Sequence, residues 1–194
     1  HTCATTSKGR VLCWGTGTSG QLGEPASATS LPQGFSSGGE FRSEFVQYPM
    51  GITSLDSTRG TVAVSTNQGV HNSRSGMVIP GPISQWGGTG THTVSFDWYV
   101  YSEGCHDDAN FGRINPSNIY LDVNQCNLGG AWRSASYSYA PSTENIAWWY
   151  YKDGSAHTGT DTMYVDDIVV TDGSGTIVYE QDFDSIPENS TRYT

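Results

Sequence analysis

Few stretches of this chain carry residues whose types and spacing could do chemistry. The phrase Cys105-His-Asp-Asp-Ala-Asn110 places His106, Asp107, Asp108 and Asn110 together. Such side chains can coordinate a cation or hydrogen-bond sugar hydroxyls, and they also suit a polar loop pinned by a disulfide. Tyr99, Tyr101, Trp132, Tyr137, Tyr139, Trp149 and Tyr151 offer aromatic faces on which sugar rings stack, or with which a core or subunit interface is built. Asp166 and Asp167 are adjacent, so in a strand one faces a site while the other faces solvent. No G-x-S-x-G elbow or H-E-x-x-H pair is present, and no two carboxylates are singled out as a glycosidase pair. The residues point to binding, and the expected class is not an enzyme.

These groups must be positioned by strands. The 194 residues include 24 Gly and 8 Pro, are 12% aromatic and only 14% charged, a profile of short strands joined by tight turns. Strands are expected at 61–66, 76–80, 92–101, 118–123, 132–139, 144–151, 162–171 and 175–183. In 92–101, Val94, Phe96, Trp98 and Val100 share one face, while Ser95, Asp97, Tyr99 and Tyr101 share the other. Both faces of 144–151 are apolar, which predicts cover on both sides or a displayed aromatic row. The resulting fold class is all-β: an antiparallel jelly-roll or β-sandwich with an N-terminal disulfide-linked β-hairpin.

Nine basic residues against nineteen acidic ones give a net charge of −10. That balance excludes nucleic acid as a partner and favours divalent cations. No apolar run approaches the ~20 residues of a membrane span, and the start of the chain reads as processed, excised or truncated. The four cysteines, Cys3, Cys13, Cys105 and Cys126, form no C-x-x-C pair, so a zinc site is disfavoured. Of three connectivities, Cys3–Cys13 with Cys105–Cys126 is the most local. A three-residue turn at Ser7-Lys8-Gly9 pairs Thr6 with Arg10 and sets Cys3 opposite Cys13, close enough for a cross-strand bond. Two disulfides imply an oxidising, extracellular or cell-surface location.

Residues 1–23 carry His-Thr-Cys-Ala, Gly-Arg-Val-x-Cys-Trp-Gly and Gly-Gln-Leu-Gly, and so resemble a regulator-of-chromosome-condensation propeller repeat in a cysteine-bearing form. Only part of one blade is present, so no propeller function follows. Residues 24–40 read as a connector, 41–183 as the sandwich and 184–194 as a tail. Within the sandwich, Trp148, Tyr150, Lys152 and Asp153, then Asp161, Tyr164, Asp166 and Asp167, resemble a concanavalin-like (MAM-like) module of secreted bacterial proteins, across about 92–170. The resemblance implies a structural Ca²⁺ held by Asp166 or Asp167 with Glu180, Asp182 and Asp184. A solvated acidic edge is the alternative.

The acidic-aromatic phrase Glu180-Gln-Asp-Phe-Asp-Ser185, which opens such modules, here follows the Asp-Asp-Ile strand. It starts a second module, completes this sandwich, or completes a neighbour's sheet by β-strand addition. Two function classes follow. One is a structural subunit that self-associates, or pairs with neighbouring repeats, through its terminal β-strands to build a surface filament or array. The other is an extracellular carbohydrate-binding or adhesive module, with Tyr99, Tyr101, Trp149, Tyr151, His106, Asp107 and Asp108 as candidate ligand contacts.

Overall fold

The computed structural model describes residues 2–5, 11–14, 36–37, 48–55, 59–79, 81–102, 108–115, 118–125, 130–154 and 159–184, the first three segments through their backbone. The elements are β1 (Thr2–Thr5), β2 (Val11–Trp14), β3 (Ser36–Ser37), β4 (Tyr48–Pro49), β5 (Gly51–Ser54), β6 (Thr61–Val64), β7 (Ser73–Val78), a 3₁₀ turn (Ile83–Gln85), β8 (His92–Tyr101), β9 (Ala109–Ile114), β10 (Ile119–Gln125), β11 (Arg133–Tyr139), β12 (Asn145–Lys152), β13 (Thr162–Thr171) and β14 (Ile177–Gln181).

Twelve of these strands build two six-stranded sheets. A front sheet runs β11-β8-β13-β6-β5, with β14 also on β13; a back sheet runs β10-β9-β12-β7-β3, with β4 joining β7 in parallel. The remaining described pairs are antiparallel, as a sandwich requires. Strands β1 and β2 form a two-stranded sheet of their own, with Cys3 opposite Cys13 in the ladder. That is the register expected from the turn; no cysteine side chain lies among the described residues, and neither does any part of Cys105 or Cys126. The stretch read as a connector contributes β3.

Alternation explains the core. Val94, Phe96, Trp98 and Val100 of β8 are buried and meet Ile146, Trp148 and Tyr150 of β12 across the sandwich. Phe111 of β9 is the hub: its ring centroid lies 4.5 Å from Phe96, 5.1 Å from Trp148 and 5.2 Å from Tyr137. Rings at such offsets add to the burial of their area. The outer face of β12 is covered too: Ala147 and Trp149 are buried in a second cluster with Val78.

One strand lies where the sequence read only a polar loop. The phrase Asn110-Phe-Gly-Arg has a glycine mid-run, a weak strand signal. A Cβ at Gly112 would sit 2.3 Å from the Tyr120 carbonyl. The glycine is therefore the residue that lets β10 close on β9, just where the register shifts between Leu121 and Val123.

Strand β13 divides at a bulge. Asp167 has φ +49° and the pairing with β8 shifts between Asp166 and Val169. Before the bulge β13 pairs with β6, after it with β14. The turn into β14 is held by Asp172, whose carboxylate accepts the Ser174 hydroxyl and the backbone N–H groups of Thr89, Thr176 and Ser174; these bonds, the Ser174 hydroxyl foremost, hold it well below the ordinary range. Of the three dispositions open for the Glu180 phrase, the structure takes the second: β14 completes the sheet of its own chain.

Candidate functional site

The outer face of the front sheet gathers the side chains that could meet a ligand. Strands β8 and β11 are paired so that their outward residues form successive rungs. Thr93 and Ser138 hydroxyls are 2.9 Å apart, Ser95 and Ser136 3.0 Å, and the Ser134 hydroxyl donates to Asp97 Oδ1 at 2.6 Å. Each rung is two residues from the next, about 7 Å along the strand. A shallow groove of about 380 Å³ lies over the rungs, lined by Ser95, Asp97, Ser134, Ser136 and Asp167, with Phe96 and Ala135 beneath.

Arg59, in the approach to β6, closes one side. Its Nη1 lies 2.6 Å from Asp97, 3.3 Å from Asp167 and 3.8 Å from Asp166, and its guanidinium sits 4.4 Å from the Trp132 ring centroid. The hydrogen bond to Asp97 is the main reason its proton is held more tightly than usual. Trp132 begins an aromatic shelf: Tyr99 lies 5.8 Å from it and 5.6 Å from Tyr164. Tyr101 is exposed beside the shelf. Gly159, at φ +69°, passes so close that a Cβ would stand 2.5 Å from the Tyr101 ring, which makes glycine the residue that fits.

Asp166 lies under this arrangement. Its side chain is 4% exposed, Oδ1 has no hydrogen-bond partner, and burial pushes its carboxyl up to about 7. The expectation that Asp166 and Asp167 face opposite ways meets the bulge. One is buried and the other exposed, yet the left-handed turn at Asp167 brings both to the same arginine.

The other expected site residues scatter. Tyr99 and Tyr101 lie on the same outer face as the groove, Tyr99 in the aromatic shelf and Tyr101 beside it. Trp149 and Tyr151 lie on the outer face of the back sheet, Trp149 buried and Tyr151 under the Arg74 guanidinium at 4.8 Å. They cannot share a site with Tyr99, because the whole sandwich stands between. His106 and Asp107 lie outside the described residues. Asp108 is buried, takes a hydrogen bond from the Ser102 hydroxyl, and is raised to about 6 by burial. Of the acidic set, Asp184 accepts the Thr61 backbone N–H, while Glu180 and Asp182 are exposed. Among the described residues no three His, Cys, Asp or Glu side chains gather as a metal site. Arg59 carried no signal in the sequence. Ser134 and Ser136 did, as the alternate residues of Arg133-Ser-Ala-Ser-Tyr.

Residues 1–21 match the Regulator of chromosome condensation (RCC1) repeat. No curated protein matches the chain. Among solved structures, the K1 cleaved adhesin domain of Lys-gingipain from Porphyromonas gingivalis W83 is similar at a TM-score of 0.48 and 9% identity, covering 74% of this chain and 93% of that one. A family 16 carbohydrate binding module is similar at 0.37 and 10% identity, covering 64% and 86%. A CBM4 structure is similar at 0.30 and 16% identity, covering 70% and 83%. Likenesses at these TM-scores carry no weight for function.

Proposed function

We propose that this chain is an extracellular, non-catalytic carbohydrate-binding or adhesive module, and that glycan lies along the outer face of the front sheet. The observation that carries the reading is the meeting of the hydroxyl and carboxylate rungs of β8 and β11 with the Tyr99–Trp132–Tyr164 shelf. A pyranose presents apolar C–H faces, which suit aromatic rings, and edge hydroxyls, which suit Asp97, Arg59 and serine hydroxyls. The extracellular location rests on the four cysteines.

Catalysis does not fit the same groups. Glycoside hydrolysis needs one free carboxylate and one protonated acid flanking the bond. Asp97 and Asp167 are both tied to Arg59, and Asp166 is buried beneath it. Assembly through the C-terminal strand is not favoured either, because β14 occupies the edge of its own β13.

The buried, unpartnered Asp166 Oδ1 is what favours a structural Ca²⁺. Such a carboxylate oxygen beside Asp184, whose charge acts on Asp166, is a hard ligand for that ion, with main-chain carbonyls completing the shell. Bound there, Ca²⁺ would tie β13 to the end of β14. The glycan reading is tested on a glycan array with native protein and Trp132→Ala. Native binding that weakens about tenfold or more in the variant supports it; absence of binding to any glycan, or an unaffected variant, overturns it.

A further inference from the structure

A buried polar cluster at one end of the sandwich takes no part in the groove. Lys152 ends β12 of the back sheet, and Asp161 immediately precedes β13 of the front sheet. Their side chains are 2% and 4% exposed, with Nζ 3.8 Å from Asp161 Oδ2. The Tyr150 hydroxyl donates to the other oxygen, Oδ1, at 2.9 Å. Asp108, which precedes β9, is buried at the same end, and the charges of both Lys152 and Asp161 act on it. Asp153 adds a further carboxylate 3.3 Å from Nζ. Buried ions are costly even when paired, and among the described residues here one cation, Lys152, faces three carboxylates, Asp108, Asp153 and Asp161.

An amine held against a carboxyl group, with a donor on the carbonyl oxygen and a second carboxyl group nearby, is the arrangement for amide formation. We propose that Lys152 and Asp161 condense into an intramolecular isopeptide bond that joins the two sheets. Within the ion pair a proton passes from Nζ to Oδ2, leaving a neutral amine and a neutral acid. The Nζ lone pair attacks Cγ and the C–N bond forms, placing negative charge on Oδ1, where the Tyr150 hydroxyl meets it. The Asp108 carboxylate takes a proton from Nζ and passes it to the Oδ2 hydroxyl, which leaves as water while the Cγ–Oδ1 double bond re-forms. The products are one amide and one water; Asp108 ends as it began. Its carboxyl, raised to about 6 by burial, can give and take a proton near neutrality. The product replaces two buried charges with a neutral amide, and it persists in denaturant.

The test is the mass of the native chain, reduced and denatured so that disulfides do not count. The bond makes the chain lighter by one water and blocks trypsin after Lys152. A cyclic imide at Asp153-Gly154 or Asp172-Gly173 also loses water but leaves that cleavage intact, so fragment mapping separates the two. A water loss mapped to a Lys152–Asp161 linkage supports the proposal. Full mass with cleavage after Lys152, or a water loss mapped to an Asp-Gly pair, overturns it. Asp108→Asn, its fold checked by circular dichroism, is expected to carry the full, unlinked mass; a linked variant would remove Asp108 from the reaction.

Discussion

Replacing Phe111 tests how the groove is held, because this ring joins the back sheet to the strands that carry the site. Phe111 is 1% exposed, and its ring meets Phe96 of β8, Trp148 of β12, and Tyr137 and Tyr139 of β11. Phe111→Ala removes the ring and leaves a cavity, at a cost of about 3–5 kcal/mol. Phe111→Leu keeps most of the volume and loses the ring pairs. At about 0.5–1.5 kcal/mol for each of the three tightest, that is roughly 1.5–4.5 kcal/mol, reduced by whatever the leucine recovers in packing. Against a total stability of about 5–15 kcal/mol, the alanine variant is marginal and the leucine variant folded. Urea unfolding followed by tryptophan fluorescence reads both, with an unchanged m-value expected of a pure packing loss. The refuting result is a Phe111→Ala cost below about 1 kcal/mol, which would mean that the ring does not sit between the sheets.

Other predictions follow from single groups. Asp108 is held at about 6 in the fold against about 3.9 in an unfolded chain, so between those values the folded state keeps a proton that the unfolded state has released. Stability therefore falls as pH rises from about 4 to about 6, by up to about 3 kcal/mol. Urea midpoints of native protein and Asp108→Asn across that window should diverge accordingly, and parallel curves contradict the assignment. Tyr139→Phe strips Asp122 of a 2.8 Å hydrogen bond and should cost about 1–2 kcal/mol by the same assay. Ca²⁺ added after chelation should raise the melting temperature of native protein and leave Asp166→Asn unmoved. A native melting curve indifferent to chelator would remove the metal.

The sandwich was legible where one physical rule acted alone. Strand β8 alternates strictly because one face is core and the other solvent, so both its limits and its inward residues could be read. Strand β13 was read to the same limits. Strand β9 was not, because Gly112 answers to a neighbouring carbonyl rather than to strand propensity. The site was legible by halves. Ser95, Asp97, Tyr99 and Tyr101 followed from the β8 pleat, and the β11 alternation held the facing serines. Arg59 lies in the approach to a short strand with no pattern around it, and its role appears only when folding lays it across Asp97 and Trp132. Trp149 was an aromatic like the others in sequence, and which sheet it joined was a matter of topology. The return of β14 onto β13 had a local cause in Asp172-Gly-Ser-Gly, a turn phrase that outweighs the likeness of the following residues to the start of another module.

Where a glycan sits is read residue by residue in backbone amide NMR of the native chain titrated with a glycan selected on the array. Binding on the front sheet predicts saturable shifts along β8 and β11 and at Arg59, Trp132 and Tyr164, with the back-sheet residues Tyr151 and Arg74 unmoved. Shifts centred on the back sheet, or none along β8 and β11 while the glycan binds, would contradict it.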